Sequence, residues 1–380
     1  MKRKLLGVLM CLVLAASCLA ACGGDTAETK AETKAETKAE TKAETQAETK
    51  AETKAETTEE TKAEGASEAF NPDEEKDTIA YTDLEAKYGP LNVEDLPENI
   101  ALGGIMKNLA NEFWLMLGDG MTAEAEAQGT TIDLQATRTE TDVAGQLAIA
   151  ETMLENKYNA LILSPLTNDN LDSAVATAKA DGIPIVNANC EYIADCDTFV
   201  GGLQIEIGYK AADYIAEKIG GAGKVAIIEG VAGTFTSIQR VNGFKEKMAA
   251  DYPDIEIVAS VPADYEVEKG MNVATDILTQ NPDIDAIYCC NDNMALGTVE
   301  ALRAQNLLGE VIVLGVDGTG DAYKSIKAGE LTATVDQFPD VNGKAAVEVA
   351  LRLLAGQDLP KVVSTPIEVV DADNAADYGK

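Results

Sequence analysis

Polar side chains follow the apolar runs of this sequence at the points where predicted strands end. They are Lys107, Asn187, Asn189, Asn291, Asp317, Asp336 and Gln337. Amide and charged groups of this kind exchange hydrogen bonds with a ligand rich in hydroxyl groups. Taken singly, each could instead cap a helix or lie in a surface loop, and we expect Asp292 to be such a cap.

The sequence contains no histidine, so the commonest general base and metal ligand is missing. No paired serine and base and no metal-binding set accompanies the polar residues at the strand ends. These residues therefore predict a binding cleft rather than an enzyme active site. No cofactor and no metal are expected.

Cysteine spacing gives no sign of a zinc or thioredoxin-like site, because no CxxC motif occurs. Outside the cytoplasm, Cys190 and Cys196 could form a small-loop disulfide or remain free. Cys289 and Cys290 are neighbours on an apolar strand and are expected to be buried thiols.

Short apolar runs alternate with segments of helical length from about residue 100 onward. Strands are predicted at 100–106, 132–136, 160–163, 183–187, 224–228, 255–261, 286–290, 311–316 and 332–335. Helices are predicted between most of them, at 112–128, 142–155, 205–219 and 293–304 among others. Near-continuous apolar strands joined by helices are typical of doubly wound α/β folds with parallel sheets. Roughly 300 residues of this kind predict two lobes joined by a hinge, with ligands at the carboxyl ends of the strands.

The N-terminus has the layout of a secretory signal, with Lys2, Arg3 and Lys4 ahead of an apolar run at 5–16. The sequence Leu19-Ala20-Ala21-Cys22 resembles the lipobox of bacterial lipoproteins. That resemblance implies a signal peptide over 1–21, acylation of Cys22, and an extracytoplasmic protein held to the cell membrane only by its lipid. The alternative is an ordinary signal peptide with a cysteine nearby.

An Ala-Glu-Thr-Lys repeat of period four begins at Ala27. On a helix it would stack like charges at i,i+4 and would present no apolar face. We therefore expect residues 22–75 to be a lipidated, disordered tether, although a partly helical stalk would serve the same purpose. Residues 76–98 are expected to form an irregular extension. The net charge of −35 argues against nucleic acid and anionic lipid as partners.

From about residue 99 to residue 360 the chain resembles the ribose- and allose-type sugar-binding proteins of ABC importers. The resemblance lies in the order and spacing of several runs: Asn111-Glu112-Phe113-Trp114, 223–230, 261–265, Asn291-Asp292-Asn293-Met294, 315–319 and 332–337. It implies the type 1 periplasmic binding protein fold. Lys107 makes the chain somewhat more similar to the allose branch.

This resemblance implies a sugar held between the lobes by aromatic faces and planar polar groups. Phe113 and Trp114 would cover one C–H face, with Tyr265 closing from the other lobe. The remaining ligand-binding positions it implies are Lys107, Asn111, Asn189, Arg240, Asn291, Asp317 and Gln337. For Phe113 and Trp114 the alternative is packing of a helix onto the core.

One position departs from the family pattern. Asn189 stands where these proteins usually have an aspartate that accepts two hydroxyl groups. Loss of a charge-assisted hydrogen bond costs about 1.5–3 kcal/mol. We therefore predict that plain ribose or allose binds weakly, and that the ligand is another sugar, a polyol, an amino sugar or an anion. Glu191 could supply the missing carboxylate.

The same resemblance sets the expected lobe boundaries. The N-terminal lobe comprises 99–202 and 338–362, and the C-terminal lobe comprises 203–337 and 363–380. The expected function is capture of a monosaccharide or polyol by a monomer, followed by delivery to an ABC permease. A receptor that presents a sugar-like signal to a chemosensor or sensor kinase is the alternative. A transcription regulator would need a basic helix-turn-helix, and a dinucleotide enzyme would need a glycine fingerprint after its first strand.

Overall fold

The computed structural model describes residues 70–92 and 96–378. The signal peptide predicted at 1–21, the lipidation site Cys22 and the repeats of the tether lie outside the described residues.

The described chain alternates strands with helices. The strands are β1 (Thr78–Ala80), β2 (Ala101–Asn108), β3 (Thr131–Thr137), β4 (Ala160–Leu163), β5 (Ile185–Ala188), β6 (Thr198–Gly201), β7 (Gly223–Glu229), β8 (Ile255–Pro262), β9 (Ala286–Cys289), β10 (Ile312–Asp317), β11 (Ala333–Asp336), β12 (Val362–Ser364) and β13 (Glu368–Asp371). The helices are α1 (Tyr81–Tyr88), α2 (Glu112–Ala127), α3 (Val143–Glu155), α4 (Asp172–Ala180), α5 (Gln204–Lys218), α6 (Phe235–Asp251), α7 (Val267–Gln280), α8 (Asp292–Gln305), α9 (Gly320–Lys327) and α10 (Pro339–Leu354). Over the described residues, none of these helices combines the length and apolar character needed to cross a bilayer.

Two sheets organise the described residues into two lobes. The first sheet has the strand order β1-β12-β6-β5-β4-β2-β3, with parallel pairing throughout. The second has the order β13-β11-β10-β9-β7-β8, in which β13 is antiparallel to β11 and the other pairs are parallel. These sheets and the covering helices confirm the predicted doubly wound α/β class.

Apolar side chains cover both faces of each sheet. In the first lobe, α2 and α10 pack on one face, whereas α3 and α4 pack on the other. Cys190 belongs to the first of these clusters and Cys196 to the second, and both thiols are free. Cys289 and Cys290 are buried free thiols in the core of the second lobe, as expected.

The chain passes between the two sheets at three places in the described part. The first follows β6 and the second lies between β11 and α10, next to the boundaries expected at 202 and 337. The third is later than expected, because β12 continues the first sheet to Ser364 and β13 joins the second sheet only at Glu368. The expected boundary at 362 therefore falls inside β12.

The segment 76–98, for which we expected no regular structure, contains β1 and α1. β1 extends the first sheet by pairing in parallel with β12, with Thr78 opposite Val362. The sequence gives little sign of this, since β1 has only three residues and none of them is fully buried. Leu84 is the buried residue of α1, too little to produce a visible apolar period.

Candidate ligand-binding site

A cavity lies between the lobes, where the carboxyl ends of β2 and β5 face those of β9 and β10. The space free of protein atoms there, counted together with the solvent at its open side, is about 270 Å³. Eight of the predicted site residues are among the described residues that line it: Lys107, Asn111, Phe113, Trp114, Arg240, Tyr265, Asn291 and Asp317. Three residues that were not predicted complete its wall, namely Glu140, Cys190 and Thr236.

The aromatic wall of the first lobe is positioned by the start of α2. Asn111 is the N-cap of this helix, and its side-chain oxygen accepts a hydrogen bond from the Phe113 backbone N–H at 3.1 Å. The first turn then presents Phe113 and Trp114, whose rings meet edge to face with centroids 4.9 Å apart. Both side chains also belong to the apolar core, each only 2% exposed. Core packing and cavity lining, which we treated as alternatives, therefore occur together.

Glu140 is the most informative residue that the sequence analysis missed. Its Oε1 accepts hydrogen bonds from Trp114 Nε1 at 3.0 Å, Asn108 Nδ2 at 2.8 Å and Asn111 Nδ2 at 3.4 Å. No hydrogen bond from the described residues reaches its Oε2. Glu140 therefore holds the indole of Trp114 in place and keeps one carboxylate oxygen available as an acceptor. It lies in the loop after β3. The sequence feature that could have identified it as a site residue is its position just beyond the carboxyl end of a predicted strand.

Lys107 and Glu191 form a buried ion pair in the first lobe. Burial acts to lower the pKa of Lys107, but Glu191, Cys190 and Glu140 together raise it above its ordinary value. The second oxygen of Glu191 accepts from the Thr236 backbone N–H, in the opposite lobe, at 3.3 Å. Glu191 is thus occupied by protein donors and does not line the cavity, contrary to the suggestion that it replaces the missing aspartate.

Arg240 lies at the centre of the second lobe's wall. Its Nε donates to Gln204 Oε1 at 2.9 Å, and its Nη1 donates to the Cys290 carbonyl at 2.5 Å and lies 3.8 Å from Asp317 Oδ1. Burial raises the pKa of Asp317 well above its ordinary value, although Arg240 acts in the opposite direction. The guanidinium is therefore held by two hydrogen-bond acceptors and one ion-pair contact of the protein itself.

Tyr265 reaches the cavity from the loop after β8. Its own φ of 62° lies in the left-handed region, which is unfavourable for a bulky residue. The ring passes so close to Gly230 that a Cβ there would lie 2.0 Å from its Cζ. Gly230 and the strained backbone together place this aromatic ring against the cavity.

Several buried polar atoms at the cavity have no partner in the protein. Among the described residues, six buried side-chain atoms lack a hydrogen bond, and three of them belong to cavity residues: Thr236 Oγ1, Tyr265 Oη and Asn291 Nδ2. Asn291 is the N-cap of α8, so its Oδ1 is taken by the Met294 backbone N–H and only its amide N–H groups remain. A buried polar atom without a partner costs about 1–3 kcal/mol. The cavity is thus prepared for a polar ligand.

Two predicted residues, Asn189 and Gln337, do not line the cavity. Asn189 Nδ2 donates to Gln337 Oε1 at 3.4 Å, and Gln337 Nε2 donates to Asp317 Oδ1 at 3.0 Å. Gln204 Nε2 completes the network by donating to Asn189 Oδ1 at 3.2 Å. These amides therefore lie behind Asp317 and join the lobes. Their positions at the ends of predicted strands correctly indicated the edge of the sheet at which they lie. Those positions did not indicate that the two residues lie behind the cavity wall.

Asp292 is also placed differently from our expectation, since Asn291 and not Asp292 caps α8. The Asp292 carboxylate instead accepts from the backbone N–H groups of Gly318 and Thr319 at 3.0 and 2.9 Å. It therefore fixes the loop that follows Asp317.

A wider vestibule leads to the cavity and shares Asn111, Glu140 and Tyr265 with it. The charged side chains that line it are mostly acidic: Glu140, Asp264, Glu266 and Glu268, with Arg138 as the lining cation. The neighbouring Lys269 pairs with Asp264 and Glu266, which leaves Glu140 and Glu268 as the main excess of negative charge. A concentration of negative charge at an entrance lowers the local concentration of anions. This geometry disfavours anionic ligands.

The cavity residues do not form a catalytic set. Burial raises the pKa of the Cys190 thiol to about 12, so this sulfur stays protonated at neutral pH. Among the described residues, no cluster of acidic or cysteine side chains could hold a metal ion. Fold and site together define a two-lobed protein that encloses a small polar ligand.

Comparison with known proteins agrees with this class. Residues 102–358 match the family model of the periplasmic binding protein domain. The chain is 35% identical over 280 residues to the D-allose-binding periplasmic protein of Escherichia coli, covering 70% of this chain and 89% of that protein.

Solved structures give the same result. An ABC transporter periplasmic solute-binding protein from Actinobacillus succinogenes with bound D-allose has 33% identity and a TM-score of 0.70, covering 74% of this chain and 100% of that one. A solute-binding protein from Bacillus halodurans with bound myo-inositol has 28% identity and a TM-score of 0.67, covering 74% and 97%.

The chain therefore belongs to the periplasmic binding protein family, and its two lobes have the type 1 fold of that family. Its relatives are solute-binding proteins of ABC transporters rather than enzymes. Membership of this family places the protein outside the cytoplasm.

Proposed function

We propose that this protein captures a monosaccharide or cyclic polyol between its lobes and delivers it to an ABC import permease. The observation that carries the proposal is the cavity with its three unpartnered polar atoms, on Thr236, Tyr265 and Asn291. They offer two hydroxyl groups and one amide donor to a ligand that can both donate and accept. Hydroxyl groups on a sugar ring do both.

The charge of the cavity narrows the ligand further. The buried cations Lys107 and Arg240 face Glu191 and Asp317, while Glu140 adds one more carboxylate. An uncharged ligand, or one that carries an amine, suits this balance better than an anion.

The relatives support a small sugar or cyclic polyol without fixing its carbon number, since the ligands named for them are D-allose, D-ribose, D-arabinose and myo-inositol. That ribose or allose binds weakly stays a prediction without support from Asn189, because this residue bonds to Gln337 and Gln204 and does not line the cavity. Closure on the ligand would gain contacts from both lobes at once, and the permease would recognise that closed form.

Location and assembly are part of the same proposal. A signal peptide over 1–21 is removed, Cys22 carries the lipid, and a tether holds a monomeric binding domain away from the membrane. The tether was expected to span 22–75, but it ends before Phe70, which packs on Tyr192. The charge of −35 supports a membrane contact through the lipid alone.

The direct test is mass spectrometry of ligand retained by freshly purified protein, followed by calorimetry with the compound identified. A thermal-shift panel of D-allose, D-ribose, myo-inositol, D-glucosamine and D-gluconate would rank ligand classes. Strong stabilisation by gluconate alone, or turnover of any compound, would contradict the proposal. Transport by a permease and ATPase encoded beside this chain would separate import from a receptor role.

A further inference from the structure

The segment before the matched family domain touches both lobes. Its strand β1 belongs to the first sheet, and Asp77 accepts a hydrogen bond from the Lys361 backbone N–H at 3.1 Å. Four residues earlier, Asp73 contacts the start of α5, which belongs to the second lobe. The segment therefore crosses the hinge beside two of the three connections between the sheets.

Asp73 supplies a helix cap from a distant part of the chain. Its two carboxylate oxygens accept from the backbone N–H groups of Gln204 at 2.7 Å and Ile205 at 3.2 Å. Leu203, the local N-cap residue in the described chain, makes no side-chain capping bond. An acidic group at this position also interacts favourably with the helix dipole.

Gln204, whose backbone N–H donates to Asp73, also holds Arg240 through its side chain. Gln204 Oε1 accepts from Arg240 Nε at 2.9 Å, while its Nε2 donates to the Gly202 carbonyl at 2.7 Å and to Asn189 Oδ1 at 3.2 Å. Because this amide is bonded on both sides, the backbone position of Gln204 sets where its oxygen lies. The chain of contacts runs from Asp73 through Gln204 to the guanidinium at the cavity.

A second set of contacts leads from the same segment to α6, the helix that carries Arg240. The Phe70 ring meets Tyr192 edge to face at 5.8 Å, and Tyr192 meets Phe235 edge to face at 5.1 Å. Phe235 is the first residue of α6, the helix that carries Thr236 and Arg240. The aromatic contacts thus fix the start of α6 while Asp73 fixes the start of α5.

We propose that residues 70–80 form a strap across the hinge, and that Asp73 is a positioning residue that orients Arg240 through Gln204. The strap makes affinity for the ligand depend on a segment outside the family domain, at the point where the tether enters it. The expected change in ligand affinity rests on the proposed function, whereas the expected change in hydrogen exchange does not.

The test compares Asp73→Ala with Asp77→Ala in the full chain. Asp77 is a matched control, because it lies in the same strap and also accepts from a backbone N–H, that of Lys361, but has no bond to Gln204. Hydrogen exchange of the ligand-free proteins is measured first. Asp73→Ala is expected to speed exchange at least fivefold at residues 204–206 and at the start of α6, whereas Asp77→Ala affects residues 361–363 only. Equal effects of the two variants on α6, or no effect of Asp73→Ala there, would overturn the proposal.

Calorimetry with D-allose then measures the effect on binding. Asp73→Ala is expected to weaken affinity five- to tenfold, and Asp77→Ala by less than twofold. In a Gln204→Ala background the effect of Asp73→Ala should largely vanish, since both substitutions break one path. Additive effects of Asp73→Ala and Gln204→Ala would refute the path. Failure of the unsubstituted protein to bind any member of the sugar panel would refute the proposed function. The hydrogen-exchange result would still show whether Asp73 stabilises the starts of α5 and α6.

Discussion

The Tyr265 hydroxyl gives the most specific prediction. Without a ligand this buried group lowers the stability of the protein, whereas with a ligand it can form a hydrogen bond that raises affinity. The hydroxyl is buried at the cavity and has no hydrogen bond to the described residues. In Tyr265→Phe, the unfolding free energy of the empty protein should stay the same or rise by up to about 1 kcal/mol. A ligand hydroxyl that loses this partner should cost about 1–2 kcal/mol, a five- to thirtyfold loss of affinity.

The assay pairs calorimetry with thermal unfolding, using the ligand identified by mass spectrometry. Tyr288→Phe is the matched control, since it removes a buried hydroxyl from the same lobe but not from the cavity wall. The control should change affinity by less than twofold. The reasoning fails if Tyr265→Phe binds as tightly as the unsubstituted protein, or if both variants lose affinity equally.

Three further predictions concern charged groups. Glu140→Gln replaces the charged acceptor that holds Trp114 by a neutral amide oxygen, so affinity for a neutral ligand should fall up to about tenfold while discrimination against D-gluconate is reduced, as measured by calorimetry. Lys107→Met leaves Glu191 buried without its cation and should destabilise the protein by about 3–5 kcal/mol in chemical denaturation, and adding Glu191→Gln should recover most of this. Burial raises the pKa of Asp73 from 3.8 to about 7. The folded protein therefore binds more protons than the unfolded chain between those pH values, and its stability falls as pH rises. Asp73→Asn should flatten that slope by up to about 1.4 kcal/mol per pH unit.

Each of these predictions has a contrary outcome. Unchanged discrimination in Glu140→Gln would show that the vestibule does not select by charge. If the Lys107→Met single variant were as stable as the double variant, the ion pair would not be buried as described. An Asp73→Asn slope that matches the unsubstituted protein would mean that Asp73 titrates normally.

Much of the site follows from sequence because parallel strands end at a common edge. Lys107, Asn291 and Asp317 each lie within two residues of the end of a strand, and the fold brings them to one cavity. Asn189 and Gln337 obey the same rule, yet they lie behind the cavity wall. Strand position along the chain carries no information on that depth, which depends on side-chain packing.

The residues that were missed depend on contacts distant in sequence. Gln204 is joined to Asp73, Asn189 and Arg240, and its own neighbours in sequence give no sign of this. β6, β12 and β13 were not predicted as strands, because each contains only two consecutive apolar residues. Their place in the sheets is set largely by pairing with strands distant in sequence, as when β12 pairs with β1 and β6.

The central claim is that Arg240 and Asp317 hold a polyhydroxy ligand between the lobes. The measurement that tests it most directly is calorimetric titration of the retained ligand into the unsubstituted protein and into Arg240→Ala/Asp317→Ala, which removes one charge of each sign. A loss of affinity of at least about 100-fold, two steps of 1.4 kcal/mol, is predicted for the double variant, with its folded structure kept. Tight binding of the same ligand by the double variant would contradict the account.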